Sequence, residues 1–196
     1  MLINEIFYSF QGEGVYIGTP AIFLRLSKCN LNCSFCDTQF EQEEEYSIKD
    51  LITILKDMLE KYNCNLLVIT GGEPLLQYEE LELLINQLDC DIQIETNGLI
   101  RKPLLNATYV ISPKQDIEKV FKFYKSQPRI YFKFLIKNLK DLQMVNDLTQ
   151  SNNYEQVVYL QPLYENAPAL TNLILNTPLQ CKYKISGQLH KYLNQR

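Results

Sequence analysis

The sequence predicts an α/β fold, an incomplete TIM-like barrel built on a mostly parallel sheet, and three observations predict it. Short apolar runs alternate with stretches of helical period, the pattern of strand–helix–strand units and a mostly parallel sheet. Thr70, Gly71, Gly72, Glu73, Glu95, Asn97, Ser112, Lys114 and Gln161 fall at the carboxyl ends of the predicted strands. In barrels and open α/β sheets that edge binds ligands. The chain has 196 residues, short of the roughly 250 that a full eight-unit barrel needs.

The elements follow in order. Ile6, Phe7 and Tyr8 form a short extended piece entering the glycine-rich segments Ser9-Phe-Gln-Gly-Glu-Gly14 and Gly18-Thr-Pro20. Such glycines bring backbone close to a ligand, and a plain turn is the competing reading. Residues 21–27 read as a near-continuous apolar strand interrupted by Arg25. A charge there needs a partner: a bound anion, or a salt bridge on an edge strand. Ser47-Ile-Lys-Asp50 resembles a capping box, and Leu51, Ile52, Leu55, Met58, Leu59 and Tyr62 then recur at helical spacing.

A strand over 66–70 ends in Gly71-Gly-Glu-Pro74 and precedes a helix over 79–88. Strand 91–95 ends in Thr96-Asn-Gly98, and strand 108–111 ends in Ser112-Pro-Lys114 before a helix over 117–124. Strand 130–136, helix 139–148 and strand 156–160, ending in Gln161-Pro162, continue the rhythm. A helical stretch near 170–175 and a strand over 182–185 complete it.

Composition narrows the function. With 46% hydrophobic and 21% charged residues the chain fits one domain spanning 1–196. A net charge of −4 argues against nucleic acid, which calls for a basic face, and leaves a small-molecule substrate. No apolar run approaches the roughly 18 to 20 residues of a membrane span. The start Met-Leu-Ile-Asn-Glu has no basic, hydrophobic leader, so a cytoplasmic protein is expected. The acidic run Glu41 to Glu45 reads as a solvated loop.

The densest chemistry lies in Cys29-Asn-Leu-Asn-Cys33-Ser-Phe-Cys36-Asp-Thr38. Three thiolates from one curled loop fit a four-iron, four-sulfur cube with one iron left open to a reactant. Zinc would want a second cysteine pair or histidines. Cys64, Cys90 and Cys181 are singletons beside apolar runs, read as buried small hydrophobes, and a mixed site with His190, the one histidine, remains the rival. A disulfide framework is disfavoured in a chain long enough to bury an ordinary core.

The cysteine spacing, with Phe35 before the last cysteine, resembles the signature of the radical S-adenosylmethionine (SAM) enzymes. Ser9–Gly14, Phe23-Leu-Arg-Leu26, Cys36-Asp-Thr38, Thr70-Gly-Gly-Glu-Pro74, Glu95-Thr-Asn-Gly98, Ser112-Pro-Lys114, Leu160-Gln-Pro162 and Gln188-Leu-His-Lys-Tyr192 extend the likeness over nearly the whole chain. Together they resemble the 7-carboxy-7-deazaguanine synthase family. The resemblance implies a partial barrel of about six parallel strands with reduced helices, a 4Fe-4S cluster on Cys29, Cys33 and Cys36, SAM and Mg2+. It implies conversion of 6-carboxy-5,6,7,8-tetrahydropterin to 7-carboxy-7-deazaguanine with loss of ammonia, on the route to queuosine and other 7-deazapurines. An electron-donor protein of flavodoxin or ferredoxin type and a homodimer are implied with it.

Carried over by position, the SAM site comprises Phe35, Cys36, Asp37, Gly72, Ser112, Pro113, Lys114, Gln161, Pro162, Leu163 and Tyr164. The pterin contacts are Phe10, Gln11, Gly12, Glu13, Arg25, Thr70, His190 and the terminal Arg196, and Thr38 takes the magnesium position with Asp37 ranked second. Gln11 and Glu13 offer hydrogen-bonding edges for a pterin, and Arg25 a planar fork for its carboxylate. No conventional catalytic nucleophile is implied, because the radical comes from the cofactor. Two alternatives stand beside this reading: a small glycyl-radical-activating enzyme with a protein partner, and a zinc-stabilised binding module.

Overall fold

A computed structural model of the protein describes residues 1–34, 36 and 43–195. The first strands, β1 (Leu2–Phe10) and β2 (Pro20–Leu26), pair antiparallel, with the glycine-rich segment between them. The two-residue β3 (Glu44–Glu45) pairs with the start of β1. From β2 onward every pairing is parallel, through β4 (Leu66–Gly71), β5 (Asp91–Thr96), β6 (Thr108–Ile111), β7 (Ile130–Ile136), β8 (Val158–Pro162) and β9 (Tyr183–Ile185). The sheet order is β3-β1-β2-β4-β5-β6-β7-β8-β9. The parallel run thus holds seven strands, the expected core of about six plus the short β9, and the barrel is open between the two edge strands.

Helices follow the strands: α1 (Ile48–Lys61), α2 (Tyr78–Ile85), α3 (Ile117–Tyr124), α4 (Leu139–Ser151), α5 (Ala167–Asn176) and the four-residue α6 (Leu189–Tyr192). The cap at α1 is as expected: Asp50 N donates to Ser47 Oγ at 3.1 Å, and that hydroxyl donates back to the Asp50 carboxylate at 2.7 Å. Asn138 does the same work for α4, accepting from Lys140 N and Asp141 N. The helix expected over 79–88 ends at Ile85, its last three residues closing as turns.

The period of two along each strand sorts the side chains between two environments. Ile22, Leu24, Leu67, Ile69, Ile94, Phe132 and Phe134 join the main core against the helices. Their neighbours Phe23, Arg25, Thr70, Glu95, Lys133 and Leu135 line a cavity on the opposite face. A small apolar cluster of Phe7, Ala21, Phe23, Leu66 and Val68 fills the inner face beside it.

Three expectations are corrected. The opening extended piece is a nine-residue strand, because antiparallel pairing with β2 satisfies it along its length. Glu44 and Glu45 are exposed but form β3; Glu41 and Gln42 lie outside the described residues. Cys181 is buried as expected, whereas Cys64 and Cys90 are half-buried, each just before a strand at the amino edge of the sheet.

Phe132 is fully buried, its ring 4.5 Å from that of Phe121 and 5.7 Å from that of Tyr154. Phe132→Ala should cost about 3–5 kcal/mol in urea denaturation, whereas Leu83→Ala, on an exposed helix face, should change stability by under about 0.5 kcal/mol.

Candidate active site

The site begins where two strand exits touch. Gly71 ends β4 at φ 124°, and a Cβ there would lie 2.2 Å from the Leu26 carbonyl; at Gly72 it would lie 1.7 Å from the Lys28 carbonyl. Only glycine permits this approach. Gly72 N then donates to Leu26 O at 3.0 Å and Glu73 N to Lys28 O at 2.8 Å. The backbone entering Cys29 is thereby fixed against β4.

Glu73 carries the lock to β5. Its carboxylate, 1% exposed, accepts from Thr96 Oγ1 at 2.6 Å, Asn97 N at 2.8 Å and Leu75 N at 3.0 Å. Burial raises this carboxyl above its ordinary pKa against the pull of those hydrogen bonds. Asn97 Nδ2 reaches back to Asn30 Oδ1 at 2.8 Å, so the cysteine loop is held from both β4 and β5.

Cys29, Cys33 and Cys36 all line the cavity, whose volume is about 510 Å³. Cys36 N donates to Cys33 O at 3.0 Å, and Leu31 N to Cys29 Sγ at 3.4 Å. Burial pushes the Cys29 thiol up, and the Glu73 charge adds to it. Among the described residues no three His, Cys, Asp or Glu side chains are gathered at metal-holding distance. The donor set is nevertheless soft, triply anionic when ionised and confined to one loop, which suits an iron–sulfur cluster. Cys64 cannot complete it, since its thiol bonds the Pro20 carbonyl at the amino edge.

Across the cavity lies a polar wall. Glu95 on β5 accepts from Gln11 Nε2 at 2.9 Å, Gln93 Nε2 at 3.0 Å and Thr70 Oγ1 at 3.1 Å. Glu13 receives the Lys133 ammonium on Oε2, and Gln188 Nε2 at 2.8 Å and Gln161 Nε2 at 3.2 Å on Oε1. Burial alone would raise the Glu13 carboxyl, but the Lys133 charge and these hydrogen bonds outweigh it and hold the group below its ordinary value. Lys114 donates to Ser112 Oγ. Burial, then repulsion from Lys133, pushes its ammonium down to about 8.

The structure gathers most of the expected residues in this cavity: Phe10, Gln11, Gly12, Glu13, Arg25, Thr70 and His190 from the pterin set, and Cys36, Gly72, Ser112, Lys114, Gln161, Leu163 and Tyr164 from the SAM set. Gly12 packs so closely on His190 that a Cβ would fall 2.1 Å from Nδ1, and Leu189 N donates to Gly12 O at 3.0 Å. Arg25 lines the cavity while its Nε donates to Glu5 at 2.8 Å. Pro113 and Pro162 are buried beside the cavity and do not line it. Phe35, Asp37, Thr38 and Arg196 lie outside the described residues. Lys133 and Gln188 were missed. A lysine inside the apolar run Ile-Tyr-Phe-Lys-Phe-Leu-Ile raises the same question as Arg25, and that signal would have found it.

Comparison with known proteins gives the chain a family. Residues 25–157 match the Radical SAM superfamily. The chain is 34% identical to the 7-carboxy-7-deazaguanine synthase of Buchnera aphidicola subsp. Schizaphis graminum, over 99% of this chain and 98% of the relative. It is 35% identical to that of Rickettsia prowazekii, over 97% and 87%. Its fold is similar to the crystal structure of QueE from Escherichia coli, with TM-score 0.72 and 24% identity over 96% of this chain and 94% of the other.

The amine of Lys114 should titrate near about 8, followed by NMR after reductive methylation with labelled formaldehyde and assigned with Lys114→Gln. Glu13→Gln should lower it further, because the Glu13 carboxylate favours the ammonium; Lys133→Met should raise it by removing a like charge.

Proposed function

We propose residue roles on one premise: the chain belongs to the 7-carboxy-7-deazaguanine synthase family of radical SAM enzymes. That family converts 6-carboxy-5,6,7,8-tetrahydropterin to 7-carboxy-7-deazaguanine with loss of ammonia, a step towards queuosine. The observation that supports the assignment of roles is that one cavity at the carboxyl edge collects the three motif thiols on one wall and hydrogen-bonding groups suited to a pterin on the other.

Cys29, Cys33 and Cys36 would hold the 4Fe-4S cluster. When bound, cluster and SAM together supply a one-electron cleavage that yields a hydrogen-abstracting radical. The protein's own work is binding, orientation and exclusion of water. Gly72 presents backbone beside the cysteine loop for the amino group of SAM, while Ser112 and Lys114 meet its polar groups and Gln161 its ribose. Lys114, with its pKa pushed down to about 8, gives up its proton more readily than an ordinary lysine. Gln11 and Glu13 receive the donor edge of the pterin. Arg25, oriented by Glu5 and with its guanidinium 5.7 Å from the Phe7 ring centroid, takes the pterin carboxylate.

Thr38 would supply a hard oxygen of the kind Mg2+ takes. The reading extends to one domain over the whole chain, an electron-donor protein, a homodimer and a cytoplasmic setting. Among the described residues no helix is long and apolar enough to cross a membrane.

After anaerobic iron and sulfide reconstitution, Cys29→Ala, Cys33→Ala and Cys36→Ala should each abolish SAM cleavage, whereas Cys64→Ala should retain it. Full activity in any of the three would sink the cluster assignment. Arg25→Lys keeps the charge but loses the fork. It should cost about 30- to 1000-fold in kcat/KM for the carboxylated pterin. Most of the wild type's preference over the decarboxylated tetrahydropterin should vanish with it; a variant that still discriminates would make Arg25 a structural partner of Glu5.

A further inference from the structure

Among the described residues, the buried cation of the cavity wall to which the reading above gives no role is Lys133. It stands in the middle of β7, on the inward face, between Phe132 and Phe134, which point into the main core. Its ion pair with Glu13 joins residues 120 positions apart, and the two side chains are only 10% and 13% exposed. Such a pair adds little net stability, because desolvating both charges offsets their attraction, and apolar residues of similar size would serve the fold as well. Its presence is better explained by what the ammonium does to Glu13.

A carboxylate has about four lone-pair sites. Lys133 fills one on Oε2, and Gln161 and Gln188 fill those on Oε1. Among the described residues Lys133 is the donor on Oε2, so one site on that oxygen is left, and Glu13 lines the cavity. The side chain is clamped from three elements, so that site has a set direction. A protonated Glu13 would turn an acceptor into a donor and oppose the N–H groups of a 2-amino-4-oxo pyrimidine ring.

We propose that Lys133 is a positioning and specificity-determining residue: it keeps the Glu13 carboxylate ionised and aimed as the acceptor for an N–H donor of a bicyclic 2-amino-4-oxo heterocycle. The inference rests on the pterin reading above and deepens it. The other charges felt at Glu13 are His190 on α6 and Lys114 after β6, and both favour the carboxylate when protonated. Lys133 adds to its charge a direct hydrogen bond on Oε2, which fixes direction as well as ionisation.

The test is fluorescence titration of the reconstituted, SAM-loaded protein with 6-carboxypterin, the oxidised and emissive analogue, from pH 5 to pH 8. Lys133→Met should weaken binding by about 30-fold or more and bring in an acidic limb as Glu13, now without its counter-charge, is protonated at higher pH. Lys133→Arg should restore most of the affinity. In a Glu13→Gln background the same Lys133→Met change should add less than about twofold, since its effect runs through Glu13. Equal losses in both backgrounds, or a Lys133→Met protein that binds with wild-type affinity and pH profile, would overturn the proposal. Should Lys133→Met fail to fold by circular dichroism, the wild-type profile decides: level binding down to pH about 5 supports it, and a limb above pH about 6 that Glu13→Gln removes overturns it. Wild-type protein that binds no pterin overturns the substrate reading itself, while wild-type binding matched by the variant overturns only the role of Lys133.

Discussion

The contact on which the site depends is between two stretches of backbone. Gly71 and Gly72 bring the exit of β4 against the exit of β2 so closely that no Cβ fits, and two main-chain hydrogen bonds close the gap. A loop bearing three thiols has no regular structure of its own to hold it, and loops are the part of a fold that moves most readily. Anchoring its first residue to the sheet through Lys28, and its second through Asn97, converts a flexible connection into a fixed wall. Glu73 completes the lock with a buried carboxylate that serves Thr96, Asn97 and Leu75 at once, so that the exits of β2, β4 and β5 behave as one unit.

The opposite wall is built by a different principle. Parallel strands covered by helices on one face must still dispose of the side chains on the other, and in this chain those positions carry Arg25, Thr70, Gln93, Glu95, Lys133 and Gln161 in place of an apolar filling. Polar groups in so enclosed a place are tolerable only when paired. They are paired: Arg25 on β2 with Glu5 on β1, Thr70 on β4 with Glu95 on β5, Gln93 with Glu95 along β5, and Lys133 and Gln161 with Glu13 in the loop after β1. Gln93 Oε1 is the exception among the described residues, a buried acceptor without a partner. The cavity is therefore preorganised, its dipoles already oriented before anything binds.

What the sequence revealed divides along the same line. The alternation of strands and helices, the cap at Ser47 and the ligand edge were legible because each is local: a period, a capping pair, a glycine at a strand end. The cysteine spacing was legible for the same reason. The length of β1 was not, since its outer half is held by pairing with β2 and not by its own apolar pattern. Nor were the partners of the charges. Arg25 posed the right question, but whether Glu5 answers it depends on the antiparallel register that sets Glu5 opposite Arg25. Lys133 meets Glu13 only because the sheet curls far enough to bring the loop after β1 to the inner face of β7.

That curl explains how an open barrel can enclose a site. Between the edge strands the sheet has no ladder to close it, and unpaired edges are ordinarily exposed to solvent and to other chains. Here the gap is spanned by the segment after β9. Leu189 N bonds the Gly12 carbonyl, Gln188 bonds Glu13, and Ser186 Oγ accepts from Gly14 N, so the end of the chain is stitched to the loop that follows the first strand. These are polar bonds made by a four-residue helix and its flanks, with little apolar area behind them. Such a closure is weaker than a strand pair and can open locally at modest cost. The open side of the barrel thus gains a wall from polar bonds between the segment after β9 and the loop after β1, not from a strand ladder.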